Sequence, residues 1–299
     1  MKRYYKVAEH VFSIEAAESD FEQLGNYVPF EEAGVRSQET GLFAISVKNG
    51  SISSAEGWES VYTNRSDEDM PRIELYEREG EWLFRISMTR DGDIVSAMRC
   101  TKDWREVEVT MQAGCERFAI DNAAMLVFAF ATAEKRTLLF HASVVRKDGW
   151  GYLFLGHSGT GKSTHSRQWL KAFPEAELLN DDNPVVRIDA QGIVRVYGSP
   201  WSGKTACYKK ADAPVAALVQ LAQAPHNEIV GLKMTQAYPY VLASVSGLKI
   251  LPTMMDELYA TIAALLEATP VYRLECLPNE EAALLCAQTC SPSSDRKDS

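Results

Sequence analysis

Gly156, Gly161, Lys162 and Ser163 satisfy the spacing G-x-x-x-x-G-K-[ST], in the run Gly156-His157-Ser158-Gly159-Thr160-Gly161-Lys162-Ser163. The chemistry open to such a loop is the holding of phosphate. Glycines let the backbone curl until successive N–H groups point at one anion. A helix starting near Lys162 adds the positive end of its dipole. Lys162 can reach the outer phosphates of a nucleoside triphosphate, and the Ser163 hydroxyl can ligate Mg²⁺. Four fixed positions arise by chance, so context decides. Here apolar Tyr152-Leu153-Phe154-Leu155 reads as a buried strand running into the loop, and Lys162 to Phe173 as a helix stopped by Pro174. The competing reading is a glycine-rich turn without a ligand.

Phosphoryl chemistry also asks for metal charge and a base. Asp181-Asp182 closes the next strand, Leu178-Leu179-Asn180. In a parallel sheet that strand end opens on the same edge as the loop. One carboxylate would hold metal and the other accept a proton. Asp181-Asp182-Asn183-Pro184 is equally good turn chemistry. His141 stands 15 residues before Gly156, on a strand expected to pair with the one feeding the loop; taken alone, it reads as structural more readily than functional. Ser199-Pro200-Trp201-Ser202-Gly203-Lys204 is a second glycine-containing loop. Lys204 is a candidate for phosphate or an acidic substrate, and Trp201 for stacking on a base; surface loop and core are the plain alternatives.

These residues need elements to hold them. The first third reads as short strands: Leu42 to Val47 ending at an Asn49-Gly50 hairpin signal, 73–78 and 82–88 around Glu79-Gly80, a turn at Asp91-Gly92, and the alternating 107–111. This predicts an N-terminal, mainly antiparallel sheet with one wet face over residues 1–113. Helical spacing follows over 115–135, a bridge into a second domain spanning 114–290. That domain reads as strand 138–145, a turn at Lys147-Asp148-Gly149, the loop and its helix, and a hairpin around Gln191-Gly192. A strand at 215–222, helix 254–268, strand 271–277 and helix 280–289 complete it. The polar tail 291–299 reads as disordered. The expected fold class is α/β (α+β).

The bulk numbers exclude several classes. A net charge of −10 over 299 residues, without a Lys/Arg cluster, argues against a nucleic-acid partner and against anionic membranes. The longest apolar run, 123–133, falls short of a bilayer span. The basic start has no apolar stretch after it, against a signal peptide. A cytoplasmic protein is the expectation. The six cysteines lack a C-x-x-C pair, and Cys286/Cys290 have no histidine companion, so reduced thiols are expected rather than a metal site.

Taken together in order and spacing, His141, Gly156 to Ser163 and Asp181-Asp182 resemble the HPr kinase/phosphorylase group, which shares its nucleotide-binding core with ATP-dependent phosphoenolpyruvate carboxykinase. Gly159-Thr160-Gly161-Lys162-Ser163-Thr164 is close to the carboxykinase form of the loop. Leu274-Glu275-Cys276-Leu277-Pro278-Asn279-Glu280-Glu281 resembles the C-terminal segment of HPr-kinase-related proteins. The resemblance covers about 138–290 and not the N-terminal sheet. It implies a phosphate-loop core binding ATP with Mg²⁺. His141 and Lys162 would lie beside the transferred phosphate, Ser163 on the metal, and Asp182 would act as base towards a protein serine. The family carries a metal-binding glutamate after the hairpin. Val196-Tyr197-Gly198-Ser199-Pro200-Trp201 has no acid there, which leaves Asp181 to the metal and bears on both phosphorylase activity and HPr as a substrate. The chain is far shorter than a carboxykinase.

The leading expectation is therefore an HPr-kinase-like phosphotransferase acting on a Ser or Thr hydroxyl of a protein or peptide. A nucleotide-sensing binding module and a small-molecule kinase or carboxykinase-like enzyme are the alternatives. Relatives assemble into rings, so a homo-oligomer is allowed, although no interface is legible in the sequence.

Overall fold

The computed structural model describes residues 1–33, 41–48, 50–64, 68, 70–203, 205–247 and 252–292. It is a mixed α/β protein, mostly sheet, and divides into two units, 1–131 and 132–299.

The first unit carries strands β1 (Lys2–Val7), β2 (His10–Glu15), β3 (Ala44–Val47), β4 (Glu59–Thr63), β5 (Ile73–Arg78), β6 (Glu81–Ser87), β7 (Ile94–Thr101) and β8 (Glu106–Met111). They form one sheet in the order β1-β2-β3-β8-β7-β6-β5-β4. The β5–β8 meander is antiparallel, and Gly80 makes the expected β5–β6 turn at φ 75°. Its two faces differ as the alternation predicts. Leu75, Phe84, Met98 and Val109 are buried in one row, while Arg85–Glu74 and Arg99–Glu108 pair on the other face. The hairpin expected after Val47 does not form a β3–β4 pair. β3 lies between β2 and β8, parallel to both, because Ile45 is buried in one row with Ile14 and Val107. Asn49 lies outside the described residues.

Helix α1 (Glu18–Glu22) is short; α2 (Glu116–Ala131) ends four residues earlier than the periodicity suggests. A 3₁₀ turn, Ala133–Lys135, follows and closes at Arg136, whose φ is 50°. The unit boundary thus lies after Ala131, not at 113/114, and α2 belongs to the β-rich unit. Aromatic packing explains the assignment: Phe128 stands against Phe12, and Phe130 against Phe84 and Trp104.

The second unit contains β9 (Thr137–Leu139), β10 (Ala142–Lys147), β11 (Trp150–Leu155), α3 (Lys162–Ala172), β12 (Glu177–Asp182), β13 (Val185–Ile188), β14 (Val194–Tyr197) and β15 (Asp212–Gln223). It continues with β16 (Glu228–Leu232), α4 (Met234–Ser244), α5 (Pro252–Ala268), β17 (Val271–Cys276) and α6 (Glu280–Cys290). Its sheet runs β12-β10-β11-β15-β14-β13-β9, with β17 on β15 and β16 on β17. The single strand expected over 138–145 is two. β9 pairs with β13, β10 with β11 and β12, and the chain breaks at Phe140-His141. Backbone bonds fix the break: Phe140 N–H donates to the Pro184 carbonyl at 2.9 Å and His141 N–H to the Ser244 carbonyl at 2.7 Å. The sheet is mixed rather than parallel. Of the tail 291–299 expected to be disordered, residues 293–299 lie outside the described residues.

Trp169 anchors α3 on β11; it is fully buried against Tyr152 and Phe154. Its indole N–H donates to His165 Nε2 at 3.1 Å, which leaves the imidazole proton on Nδ1. Burial pulls His165 from 6.5 to about 4. Below pH 6.5 the unfolded chain takes up a proton that the native state refuses. Stability therefore falls as pH drops from 6.5 to 4, by at most about 3 kcal/mol from this group. Urea unfolding across that range checks it: His165→Gln, which keeps an acceptor for Trp169, is expected to flatten this part of the profile.

Candidate functional site

Two antiparallel pairings build the site. β11 runs antiparallel to β10, and β10 antiparallel to β12. β11 and β12 therefore point the same way, and their C-terminal ends share one edge with the start of β10. Ala142 pairs with Leu155 on one side and with Asp182 on the other. The residues just beyond this row are Gly156, His141 and Asn183. From the sequence, the loop and the Asp181-Asp182 strand end are expected on one edge of a parallel sheet, with His141 on a strand that pairs with the one feeding the loop. The edge is correct, but an antiparallel strand sits in the middle, and it delivers His141.

The segment 156–161 links β11 to α3. Gly156, Gly159 and Gly161 have φ of 153°, 78° and 108°. The last two are left-handed values that disfavour a side chain. Gly161 ends the loop as the residue before α3, so the helix opens at Lys162 with its N-terminal N–H groups at the loop. His157 and Ser158 are exposed, whereas Thr160, Ser163 and Thr164 are half-buried.

Lys162 Nζ lies 2.9 Å from His141 Nε2, 2.9 Å from the Gly156 carbonyl and 3.2 Å from the His157 carbonyl. His141 Nδ1 lies 3.0 Å from Asp182 Oδ1. An ammonium has only donors, so Nε2 accepts from it and the imidazole proton sits on Nδ1, facing the carboxylate. Ammonium, imidazole and carboxylate thus form one chain at the mouth of the loop. Burial pulls the Lys162 ammonium below the ordinary lysine range, and the Asp182 and Asp181 charges oppose that pull.

Asp181 and Asp182 are neighbours on a strand and point to opposite faces. Asp182 meets His141; Asp181 is buried on the α3 side. Ser143 Oγ donates to Asp181 Oδ1 at 2.7 Å, and Ser166 Oγ on α3 lies 2.6 Å from Ser143 Oγ. Ser143 has one proton and gives it to Asp181, so Ser166 donates to Ser143. The loop helix is thereby linked to the first aspartate through Ser143.

The corner itself is held by Asn180, which the sequence reading passed over. It is fully buried, and its side-chain oxygen accepts from the N–H groups of Asp182 and Asn183, each at 2.9 Å. Its amide nitrogen donates to Ser199 Oγ at 3.1 Å and to the Trp201 carbonyl at 3.4 Å. An Asn two residues before a strand end is an Asx-turn signal visible in the sequence; nothing local marked Ser143 or Ser166.

The 199–203 loop therefore lies over the aspartates. A Cβ on Gly203 would stand 3.1 Å from the Asp181 carbonyl oxygen and 3.2 Å from the Asp182 Cβ. Trp201 is only 4% exposed. Its ring is core and offers no platform to a base, because the Asn180–Ser199 hydrogen bonds draw this loop inward. Lys204 lies outside the described residues. The structure thus brings together His141, Lys162, Asp181, Asp182 and the loop 156–164, and it sets Trp201 apart.

The arrangement defines an α/β protein with a glycine-rich strand-to-helix loop facing a carboxylate pair. A family model described as SynChlorMet cassette protein ScmC matches residues 104–277, and the chain belongs to that family. A search of curated proteins gave no match. No helix among the described residues is long and apolar enough to cross a membrane.

Asn180→Ala is expected to lower unfolding stability by on the order of 2 kcal/mol, since it strips the half-buried Asp182 and Asn183 N–H groups of their acceptor. Chemical denaturation measures it; a loss under 1 kcal/mol would mean water replaces the amide.

Proposed function

We propose that this protein is an ATP-binding, Mg²⁺-dependent phosphotransferase of the HPr-kinase-like type, working in the cytoplasm and passing the γ-phosphoryl group to a Ser or Thr hydroxyl of a protein or peptide. The observation that carries the reading is the Lys162–His141–Asp182 chain at the mouth of the Gly156–Ser163 loop. The resemblance of 138–290 to HPr kinases supports it in the same residues.

The oxygen donors fit a hard cation: the Ser163 hydroxyl at the start of α3 and the Asp181 carboxylate on the strand facing that helix suit Mg²⁺. The metal would supply charge to offset that of the phosphates. In transfer, the acceptor oxygen bonds to the γ-phosphorus as the bond to the bridging oxygen breaks, and that electron pair leaves with ADP. Asp182 takes the proton of the acceptor hydroxyl. His141 holds Asp182 in place through its Nδ1–H, and Lys162, released from the Gly156 and His157 carbonyls, meets the charge on the moving group. Asn180 keeps the base in register.

A second reading, a nucleotide sensor, is favoured by one feature: Val196 to Trp201 contains no carboxylate where the kinases carry a metal ligand. The two separate on turnover. For the phosphotransferase, Asp182→Asn lowers the rate of ADP release with a mixture of Ser- and Thr-containing peptides about 10²–10⁴-fold while Mg²⁺-ATP affinity stays within a few-fold. Tight ATP binding with no ADP release from the wild type would instead select the sensor.

A further inference from the structure

Lys162 Nζ stands at the Gly156–His157 end of the loop, beside His141. The opposite flank, Gly159 to Gly161 with Thr164, forms one wall of a cleft of about 550 Å³. Leu221, Ala224, Cys276, Leu277 and Pro278 from the ends of β15 and β17 make the other wall. Gln223 ties the walls together, its amide nitrogen donating to the Gly159 carbonyl at 3.2 Å. Asn227 fixes the far wall, accepting from Leu277 N–H at 2.9 Å and donating to Asn279. The cleft is framed before any ligand enters, and its volume lies in the range of small-molecule sites.

A nucleoside triphosphate held by the loop has two ends. The terminal phosphate belongs where Lys162, His141 and Asp182 meet. The nucleoside must leave by the other flank, where Thr164 opens onto the cleft. The chemistry of that wall suits a flat, weakly polar ring: two leucines, an alanine, a proline and a thiol, with no charged side chain. Leu277 is 38% exposed, an aliphatic surface that a base would cover. Trp201, on the aspartate side, is buried and unavailable.

We infer that this cleft is the nucleoside site, with the base packed between the 159–164 segment and Leu221, Ala224 and Leu277; the inference rests on the ATP reading above and assigns residues that the loop motif does not contain.

The cysteines provide the test. Five of the six are buried, and Cys276 in the cleft wall is half-exposed. Burial raises its thiol above the usual range, so labelling belongs at mildly alkaline pH. N-ethylmaleimide modification of Cys276 is followed by peptide mass spectrometry with no ligand, with Mg²⁺-ATP and with Mg²⁺-tripolyphosphate, and binding of both ligands is measured by calorimetry. Mg²⁺-ATP is expected to slow Cys276 labelling at least tenfold, and tripolyphosphate less than twofold. Ala224→Trp, which fills the cleft, is expected to weaken ATP at least tenfold and leave tripolyphosphate affinity unchanged. Calorimetric ATP binding with Cys276 labelled at the unliganded rate overturns the nucleoside assignment and leaves the phosphotransferase reading standing. Equal protection by tripolyphosphate, or unchanged ATP affinity in Ala224→Trp, overturns it too. No ATP binding at all removes both.

Discussion

An ammonium drawn out of water must find acceptors, and the site turns on how Lys162 does so. Two loop carbonyls and the His141 imidazole supply three. Two of these partners belong to the curl of the glycine loop, and the third is placed by the break between β9 and β10. The imidazole in turn is oriented by Asp182. Altering the loop curl, the strand break or the Asp182 corner leaves a partly buried cation short of a partner. That shared dependence makes the edge formed by β11, β10 and β12 one constellation rather than three neighbouring features.

The two aspartates divide the work by strand geometry alone. Adjacent positions face opposite sides, so one carboxylate goes to the imidazole and the other to the Ser143–Ser166 pair under α3. Asn180 fixes the backbone between them and carries the 199–203 loop across the top. A buried polar network of this kind is sensitive to single deletions because each member satisfies more than one partner.

Much of this was legible in the sequence, and the limits have physical causes. The strand–loop–helix around 150–172 is local: an apolar run, spaced glycines and a stopping proline specify it without long-range help. The Lys147-Asp148-Gly149 turn is equally local, and Asp148 and Gly149 take φ of 51° and 80°. The strand break at Phe140-His141 was not legible, because its apolar run is continuous and only the distant carbonyls of Pro184 and Ser244 impose the break. The parallel placement of β3 depends on burial of Ile45 between strands far apart in sequence. Helix α4 was missed where Pro239 interrupts its pattern. Trp201 gave an ambiguous signal, since the same residue type serves a core or a stacking surface, and the Asn180 hydrogen bonds decide the matter.

On the proposed reading, Lys162 and its loop hold the phosphates of ATP. Calorimetric titration of Mg²⁺-ATP into the wild type and into Lys162→Ala addresses it most directly, with circular dichroism to establish that both are folded. One site is expected in the wild type, with at least a tenfold loss of affinity in the variant. Equal affinity in the two proteins, or no binding by a folded wild type, would contradict it.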